Sequence, residues 1–474
     1  MSSPAKTRPA PGKQPDAEPT PAFDEPPAAP AGTKILVLSL GLVGERMSSI
    51  GIRSYQIARV LGQRLPDATV TLAVPSETSL PDGMPFHLVR YDQSTLKSLA
   101  QDHDIMISYT FPTSLLSFQR RPRLVLDLYG VYLPECLEIA NSELKPQHRK
   151  AWFETQLRKL NLLLTSADFI LYANERQRHL YLGMLSALGL VTPDGYAKDK
   201  RFGHVLGLVP FGVRPGEPIA TRRVLKGVLP GIREHDKLLI WNGAASQWFD
   251  LQTLVRAVHR LSLERDDIKL YFMGTELPMN PQPPTLQGIG AASVKEAMAL
   301  AQELGVLDRF IFFNVGWTGY EDSANYLLEA DVGVCTYRPS LETDYSFRTR
   351  ILDLFWAERP IVCTEGDVLA EVVARRGLGI TVPPGDEQAL ADAIRRLMDD
   401  AAFAHSCKQN LRQVKEEYRW ENVIEPLVEF CRSTGPTEGR SRGRSLAVAR
   451  RLLSYRLSRL RQLITARRTG PAYL

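Results

Sequence analysis

The stretch Ala330–Asp386 reads ADVGVCTYRPSLETDYSFRTRILDLFWAERPIVCTEGDVLAEVVARRGLGITVPPGD. Its short apolar runs, Val332–Tyr337 and Pro360–Thr364, contain β-branched residues and predict parallel strands that are covered on both faces. The amphipathic segment Ser346–Ala357 predicts a helix between them. Such an alternation is typical of a doubly wound α/β domain, in which ligands bind outside the carboxyl ends of the strands. We therefore expect the polar residues that follow each strand to face a binding site.

The same alternation of strand and helix extends over most of the chain and divides it into two halves. Strands are predicted in the first half at Lys34–Leu40, Thr69–Val74, Asp104–Tyr109, Arg123–Leu128 and Ala167–Tyr172, and in the second at Lys237–Trp241, Lys269–Met273, Arg309–Phe313, Val332–Tyr337, Pro360–Cys363 and Gly379–Val382. The predicted fold is therefore α/β, with two Rossmann-like, doubly wound domains that face each other across a cleft. The expected divisions are a disordered Pro/Ala-rich extension (1–32), a first domain (33–215), a second domain (216–402), helices packing back on the body (403–435) and a basic helical tail (436–474).

Length and composition exclude several classes of protein. A chain of 474 residues is too long for one ordinary core, and no apolar run reaches the roughly 18 residues that span a bilayer. The amino terminus lacks the apolar core of a signal peptide, so a cytoplasmic location is expected. The five cysteines are scattered and odd in number, which does not fit a disulfide framework or a paired zinc motif. No His-Glu-x-x-His or P-loop sequence is present, which argues against a metal hydrolase and a P-loop NTPase.

Positive charge is concentrated in the tail. From Arg440 onward the sequence contains ten arginines and no acidic residue, so the rest of the chain is net negative. Apolar residues recur there at helical spacing: Leu446, Leu453, Leu457, Leu460 and Ile464. This pattern over 440–468 predicts a helix that lies on an anionic membrane surface, with docking on the protein's own acidic body as the alternative. Nucleic acid is not an expected partner, because aromatic residues for base stacking do not alternate with the arginines.

The stretch from Ala330, together with GIRSYQIARVLGQRLPDATVTLAVP (51–75) and VPFGV (209–213), resembles the GT-B-fold glycosyltransferases, and among them the retaining nucleotide-sugar enzymes of glycosyltransferase family 4. The resemblance covers about residues 34–430. Members carry an acidic residue seven positions before the Pro of a strand start, where it binds the donor ribose, and Asp353 before Pro360 matches it. Many members have a Lys or Arg three residues earlier that contacts the donor phosphates, and Arg350 matches that position.

Two departures from the family pattern change the expected site. Tyr345 stands where members typically have a Glu, and the loop WNGAASQWFD (241–250) lacks the Arg and Lys that often grip the pyrophosphate. A diphosphate leaving group develops negative charge, which guanidinium groups and helix amino termini can stabilise. We therefore expect Arg348 and Arg350 to be catalytic, with Arg53 as a further phosphate contact. A surface ion pair between Arg350 and Asp353 is the structural alternative.

The remaining candidates surround the expected cleft. For donor binding they are Asp353, Ser346, Asp344, Gly366, Asp367, Trp248, Asp250 and Gly274, of which Trp248 and Asp250 are expected to contact the sugar or the base. In the first domain, Gly44 and Gly51 allow close approach of the backbone to a ligand beside Arg53, and Tyr129 completes this acceptor and phosphate loop. Asp127, followed by Tyr129 and Glu135, ends a strand and is expected to orient the acceptor hydroxyl, with a structural hydrogen-bonding role as the alternative.

The resemblance implies a glycosyltransferase that moves a sugar from a nucleotide diphosphate sugar to a polysaccharide, glycolipid or lipid-linked acceptor. We expect retention of configuration, no metal and no cofactor apart from the nucleotide sugar as substrate. The expected place is the cytoplasm, peripheral on the inner face of the membrane, with a role in polysaccharide biosynthesis. Two alternatives stay open from the sequence: a GT-B-fold nucleotide-sugar epimerase, and a non-catalytic GT-B scaffold held at a membrane.

Overall fold

The computed structural model of this protein describes residues 32–76, 78–117, 121–275, 291–433 and 442–469. The predicted disordered extension lies outside the described residues, apart from its last position. Within the described ranges there are two parallel sheets, one in each half of the chain, with helices packed on their faces. The prediction of two doubly wound α/β domains is confirmed.

The first domain is built on a sheet of seven parallel strands. These are β1 (Lys34–Leu38), β2 (Thr69–Val74), β3 (His87–Arg90), β4 (Ile105–Ser108), β5 (Arg123–Asp127), β6 (Phe169–Tyr172) and β7 (Leu206–Leu208), in the order β3-β2-β1-β4-β5-β6-β7. Its helices are α1 (Ser49–Arg64), α2 (Leu96–Gln101), α3 (Tyr132–Glu143), α4 (Pro146–Ser166), α5 (Glu175–Ala187) and α6 (Pro193–Lys198). The strand order reverses direction at β1, and a ligand site is expected at the carboxyl ends of the strands there.

The second domain repeats this plan with six parallel strands. These are β8 (Lys237–Trp241), β9 (Ile268–Phe272), β10 (Ile311–Phe313), β11 (Val332–Cys335), β12 (Ile361–Thr364) and β13 (Gly379–Val382), in the order β10-β9-β8-β11-β12-β13. Its helices are α7 (Leu251–Ser262), α8 (Ala291–Glu303), α9 (Ser323–Glu329), α10 (Leu341–Tyr345), α11 (Thr349–Trp356), α12 (Val368–Arg376) and α13 (Glu387–Asp399). Here the order reverses at β8.

The chain then returns to the first domain through α14 (Ala401–Glu417), α15 (Trp420–Val423), α16 (Glu425–Arg432) and α17 (Arg442–Thr469). Trp420 is fully buried and packs on Phe211, with the ring centroids 5.1 Å apart. A Cβ on Gly212 would lie 2.6 Å from the Trp420 ring, so only glycine fits at this crossing. The VPFGV sequence therefore forms the surface on which the returning chain packs.

Sequence pattern located eleven of the thirteen strands that the structure describes and missed β3 and β7. The predicted strand Gly379–Val382 has the observed bounds, whereas the apolar run Val332–Tyr337 forms a strand only as far as Cys335. Strand β3 was not predicted, because His87–Arg90 is a short edge strand with mostly exposed side chains and no apolar run.

The helix predicted at Ser346–Ala357 begins later, at Thr349, and a separate short helix, α10, precedes it. Buried side-chain contacts explain the break. Ser346 donates to the Glu342 carbonyl at 2.6 Å, and both side chains are nearly inaccessible to solvent. This bond is local and competes with a continuous helix, which is the usual effect of serine at a helix boundary.

Candidate active site

A cleft of about 380 Å³ lies between the two domains, beyond the carboxyl ends of both sheets. The first domain lines it with the start of α1, the loop after β5 and the first turns of α3. The second domain contributes the loop after β8, the loop after β10 and the segment that joins α10 to α11. Seven predicted site residues line this cleft: Tyr129, Trp248, Gly274, Ser346, Arg348, Arg350 and Asp353.

Arg350 lies in the first turn of α11, beside the loop that follows β8. Its Nη2 donates to the Ala244 carbonyl at 2.5 Å, and its guanidinium carbon lies 4.0 Å from the centroid of the Phe249 ring. Its other terminal nitrogen, Nη1, is buried without a hydrogen-bond partner among the described residues. Burial lowers the pKa of Arg350 to about 10. Arg350 therefore brings to the cleft a positive charge that forms no ion pair with a carboxylate of the described residues, and Asp353 acts on it only from beyond ion-pair distance.

Two further polar groups that line the cleft also lack partners. The indole nitrogen of Trp317 and Oδ1 of Asn242 are buried and make no hydrogen bond with any residue that the structure describes. Buried polar atoms in folded proteins are nearly always paired, so unpaired ones around one cavity indicate a place for a polar ligand or ordered water. Neither residue was among the predicted site residues.

Arg348 has a different environment from Arg350. Its two terminal nitrogens donate to the two carboxylate oxygens of Glu342 at 2.8 and 2.6 Å, and its Nε lies 3.6 Å from Oδ2 of Asp367. All three side chains are almost fully buried. Breaking such a buried pair leaves an uncompensated charge, which costs several kcal/mol, about 3–5 in measured cases. Arg348 therefore fixes the start of α11, and its charge is already neutralised inside the protein.

Asp353 does not pair with Arg350, so the predicted surface ion pair is not observed. Instead its Oδ1 lies 3.2 Å from Nε of Arg214, and its Oδ2 accepts from the Asn242 amide at 3.2 Å. Arg214 comes from the connection between the domains and also donates to the Tyr320 carbonyl. About a third of the Asp353 side chain is exposed, at 31%, so the carboxylate is held in place and still accessible from the cleft.

Four predicted donor-binding residues lie outside the cleft: Asp344, Gly366, Asp367 and Asp250. Asp367 and Asp250 are helix caps, which accept from the backbone nitrogens of Ala370 and Thr253 at the starts of α12 and α7. The carbonyls of Asp344 and Gly366 both accept from Arg176 of the first domain. These positions hold helices and domains together, which does not favour direct contact with a donor.

Arg53 and Asp127 form a buried pair below the floor of the first domain's half of the cleft. The Nε of Arg53 lies 2.6 Å from Oδ2 of Asp127 and its Nη2 lies 2.7 Å from Oδ1, while the carbonyls of Val209 and Pro210 accept from Nη2 and Nη1. Arg53 is only 1% exposed. The predicted phosphate contact of Arg53 and the predicted acceptor contact of Asp127 are therefore not supported, because each residue is occupied by the other.

The glycines of the first loop are required by packing. A Cβ on Gly51 would lie 1.8 Å from the Leu42 carbonyl, and Gly44 has a φ of +116° beside Thr78. Neither glycine lines the cleft. Gly44 and Gly51 were expected to let a ligand approach the backbone closely. They instead let α1 pack closely on the loop that precedes it, and this packing brings Ser48 and Ser49 to the cleft.

Glu135 lies on the first domain's side of the cleft, in the first turn of α3. Among the described residues, no side chain donates a hydrogen bond to its carboxylate or forms an ion pair with it; the backbone amide of Val131 donates to it, and one of its oxygens lies beside Gly130. Burial raises the pKa of Glu135 to about 7, and the negative charge of Glu342 acts in the same direction while Arg348 opposes it. The cleft thus holds a carboxyl group that can exchange a proton near neutral pH, opposite the positive charge of Arg350.

Among the residues that the structure describes, no group of three or more His, Cys, Asp and Glu side chains is arranged to hold a metal ion. The polar groups at the cleft are instead guanidinium groups, amides, hydroxyls and three carboxylates, Glu135, Asp353 and Glu342, the last of which is paired with Arg348. This set suits an anionic and hydroxyl-rich ligand, since arginine binds phosphate and carboxylates bind sugar or ribose hydroxyls.

Comparison with known sequences identifies the second domain. Residues 236–400, about a third of the chain, match the family model described as glycosyl transferases group 1. A curated relative, an uncharacterized glycosyltransferase of Methanocaldococcus jannaschii, is 22% identical over 214 residues, which are 44% of this chain and 48% of that protein. The chain thus spans about half the length of the curated relative that it matches.

Solved structures resemble the chain over both domains. Sucrose-phosphate synthase from Thermosynechococcus elongatus has a TM-score of 0.56 at 16% identity, and covers 83% of this chain and 97% of its own. WaaG, a glycosyltransferase involved in lipopolysaccharide biosynthesis, has a TM-score of 0.57 at 14% identity over 85% and 100%. Anabaena HepE in complex with UDP and glucose has a TM-score of 0.55 at 15% identity over 84% and 98%.

At these identities the structural likeness establishes the fold, and the sequence match concerns the second domain. The predicted resemblance to GT-B-fold, group 1 glycosyltransferases is confirmed. This chain has the GT-B fold, and its second domain matches the model of the group 1 glycosyl transferases.

Proposed function

We propose that this protein is a glycosyltransferase that moves a sugar from a nucleotide diphosphate sugar to an acceptor hydroxyl. The observation that carries the proposal is the guanidinium of Arg350, which lines the cleft with an unpaired, buried Nη1 and no carboxylate partner among the described residues. A buried cation without a counter-ion is costly, and an anionic ligand that enters the cleft would compensate it. The group 1 match of the second domain and the UDP in the HepE complex support a nucleoside diphosphate as that ligand.

The donor is proposed to lie along the second domain's side of the cleft. The diphosphate would contact Arg350 and the backbone of the loop after β8, and Asp353 would accept from the ribose hydroxyls. Trp317 and Trp248, which line the same side, would contact the base or the sugar. Arg348 is a positioning residue in this proposal, because Glu342 and Asp367 already neutralise its charge.

The acceptor hydroxyl is proposed to approach from the first domain. Glu135 is proposed to orient it, as was expected of Asp127, and in addition to accept its proton. The bond between the anomeric carbon and the phosphate oxygen breaks, and its electron pair leaves with the diphosphate, whose developing charge Arg350 stabilises. The acceptor oxygen bonds to the anomeric carbon, and its proton passes to the Glu135 carboxylate. Retention of configuration is part of the proposal and rests on the family resemblance.

A polysaccharide, glycolipid or lipid-linked saccharide is the proposed class of acceptor, and the inner face of a membrane the proposed place. The support comes from the likeness to WaaG, a glycosyltransferase involved in lipopolysaccharide biosynthesis. Over the described ranges, no helix is both long and apolar enough to cross a bilayer.

The proposal is tested by nucleotide binding and by product analysis. Calorimetry with UDP, GDP and ADP, each beside its nucleoside, should find a diphosphate that binds more tightly than its nucleoside. Nuclear magnetic resonance then follows the corresponding sugar nucleotides with and without saccharide acceptors. A free epimer as sole product would indicate the nucleotide-sugar epimerase, and nucleotide binding without any turnover would indicate the scaffold. Absence of binding by all three diphosphates would overturn the proposal.

Turnover is expected to survive a chelator. Arg350 supplies positive charge where the diphosphate is proposed to lie, so a divalent cation is not needed to neutralise the leaving group. The measurement compares nucleotide release in EDTA with release in EDTA that has been saturated with Mg²⁺ as the matched control. A loss of activity in EDTA that Mg²⁺ or Mn²⁺ restores would contradict this expectation.

A further inference from the structure

The tail helix α17 is docked along α4 of the first domain by one of its faces. Val448 and Leu452 are 3% and 8% exposed and belong to the first domain's core. Further along the helix, the Ser458 and Thr155 hydroxyls form a buried hydrogen bond of 2.7 Å. The alternative expectation, that the tail helix docks on the protein's own acidic body, is right about the docking and wrong about the charge, because α4 is basic. The apolar residues that predicted this helix are not the ones that dock.

The predicted stripe lies on the opposite face and is exposed. Its residues keep between 43% and 71% of their surface accessible to solvent: Leu446, Leu453, Leu457, Leu460 and Ile464. Three- and four-residue spacing places them on one side of the helix, about half a turn from Val448 and Leu452. The helix thus has two apolar faces, and only one of them has a partner in the described part of this chain. An exposed apolar stripe of this length on a soluble domain indicates an interaction surface.

Charge on α17 is not explained by docking. The helix contains nine arginines and no acidic residue, and its exposed arginines include Arg450, Arg456, Arg461 and Arg467, which flank the stripe on both sides. Its partner α4 is itself basic, with Arg149, Lys150, Arg158 and Lys159 against a single Glu154. The electrostatic interaction between the two helices is therefore repulsive, and apolar contacts hold them together. The exposed arginines of α17 are therefore available to bind an anion from outside the chain.

We propose that the exposed face of α17 lies flat on an anionic lipid bilayer while the opposite face stays docked on α4. The leucine stripe would enter the boundary between headgroups and acyl chains, and the flanking arginines would bind anionic headgroups, as amphipathic interfacial helices do. No undocking or refolding of the tail is required. A second copy of the chain is a poorer occupant, because pairing two such faces would bring two sets of arginines together.

The role of this membrane surface rests on the proposed function, because it concerns how the acceptor reaches the cleft. Helix α4 packs on α3, and α3 contributes Glu135 and Ile139 to the cleft. The membrane face is thus joined through two packed helices to the side of the cleft where the acceptor is proposed to enter. A saccharide on a lipid carrier, which cannot leave the bilayer, would meet the acceptor side of the enzyme.

The test is flotation of the full chain with phosphatidylcholine vesicles that contain, or lack, about one quarter phosphatidylglycerol. Replacing Leu453, Leu457 and Leu460 by serine should weaken binding to the anionic vesicles about tenfold or more, because three apolar side chains no longer enter the interface. The matched control replaces Ile219, Val228 and Leu263 by serine. As a set these three side chains are at least as exposed as the three leucines but lie outside α17, so this variant should bind like the parent. Replacing Arg450, Arg456 and Arg461 by glutamine should remove most of the preference for anionic lipid.

Equal binding of the leucine variant and the parent would overturn the proposal, as would a parent that does not bind anionic vesicles. A parent dimer that the leucine variant dissociates, with no vesicle binding, would assign the face to a second copy instead. Calorimetry with nucleoside diphosphates on the same preparations separates the two proposals. If vesicle binding is lost while nucleotide binding is intact, only the proposed membrane surface is contradicted. If nucleotide binding is absent, the proposed function is contradicted and the vesicle result still holds.

Discussion

Arg350→Ala should reduce turnover about 10²–10³-fold, the range measured when one donor to a developing negative charge is removed. The reason is that Arg350 has no counter-ion among the described residues and an unpaired Nη1, so its interaction with the diphosphate is not offset by a lost internal partner. The stabilised charge grows as the glycosidic bond breaks, so kcat should fall much more than the affinity for the donor. Arg350→Lys should recover part of the rate, because it restores the charge without the planar fork.

Asp353→Ala provides the contrast, since its proposed contact is to the ribose and is equally present before and during bond breaking. It should therefore weaken binding of the nucleoside diphosphate and change kcat little. The measurements are calorimetric affinity and initial rates with the donor that product analysis identifies. Arg359→Ala, which removes a guanidinium that bonds to backbone carbonyls away from the cleft, is the matched control. If Arg350→Ala and Asp353→Ala both transferred sugar at the parental rate, the donor site would be assigned wrongly.

The sequence was sufficient to predict the fold because each buried strand is an apolar run of nearly its own length. Lys237–Trp241 and Gly379–Val382 have the predicted bounds. The same logic placed Arg350 and Asp353 at the cleft, because a helix that follows a parallel strand begins at the carboxyl edge of the sheet. The place of a residue within a strand-helix unit depends on the neighbouring sequence, so it can be predicted from a single sequence.

Partners distant in sequence could not be predicted. Arg53 and Asp127 are 74 residues apart, and their pairing removes both from the predicted site. Arg214 reaches Asp353 from the connection between the domains, so the sequence around Asp353 does not indicate this contact. Arg348 and Arg350 look alike in the sequence, yet Glu342 neutralises one and no carboxylate of the described residues reaches the other. Availability of a charge depends on its tertiary neighbours, which a pattern of residue types does not contain.

Glu135 gives the second large expected effect. Glu135→Gln should lower sugar transfer at least about 10²-fold, the lower end of the usual contribution of a positioned proton acceptor. The parental rate should rise with pH and level off above about 7, because the carboxylate is the active form and burial raises the pKa of Glu135 to about 7. The variant should lose that rise, since glutamine does not titrate. Rates of transfer between pH 5 and 9, with the donor saturating, provide the measurement.

Stability provides a readout of Glu135 that does not depend on activity. Its pKa is about 7 in the folded protein and near 4.5 ordinarily, so between these values the folded state holds a proton that the unfolded state has released. Unfolding therefore becomes easier as pH rises through this window, and above it an ionised, partly buried carboxylate destabilises the fold. Glu135→Gln should consequently raise the free energy of unfolding at pH 8, by on the order of 1–2 kcal/mol after allowance for partial exposure, and change it little near pH 4.

Asp127→Asn is the variant that separates the two carboxylates. It leaves the buried Arg53 without its charged partner, so it should lower stability and keep the parental midpoint of the pH profile. If Asp127 were the proton acceptor instead, its variant would lose the rise of rate with pH and Glu135→Gln would keep it. The proposed assignment requires the opposite pair of results. The Glu135 carboxylate lines the cleft without an ion-pair partner among the described residues, whereas the Asp127 carboxylate is buried against Arg53.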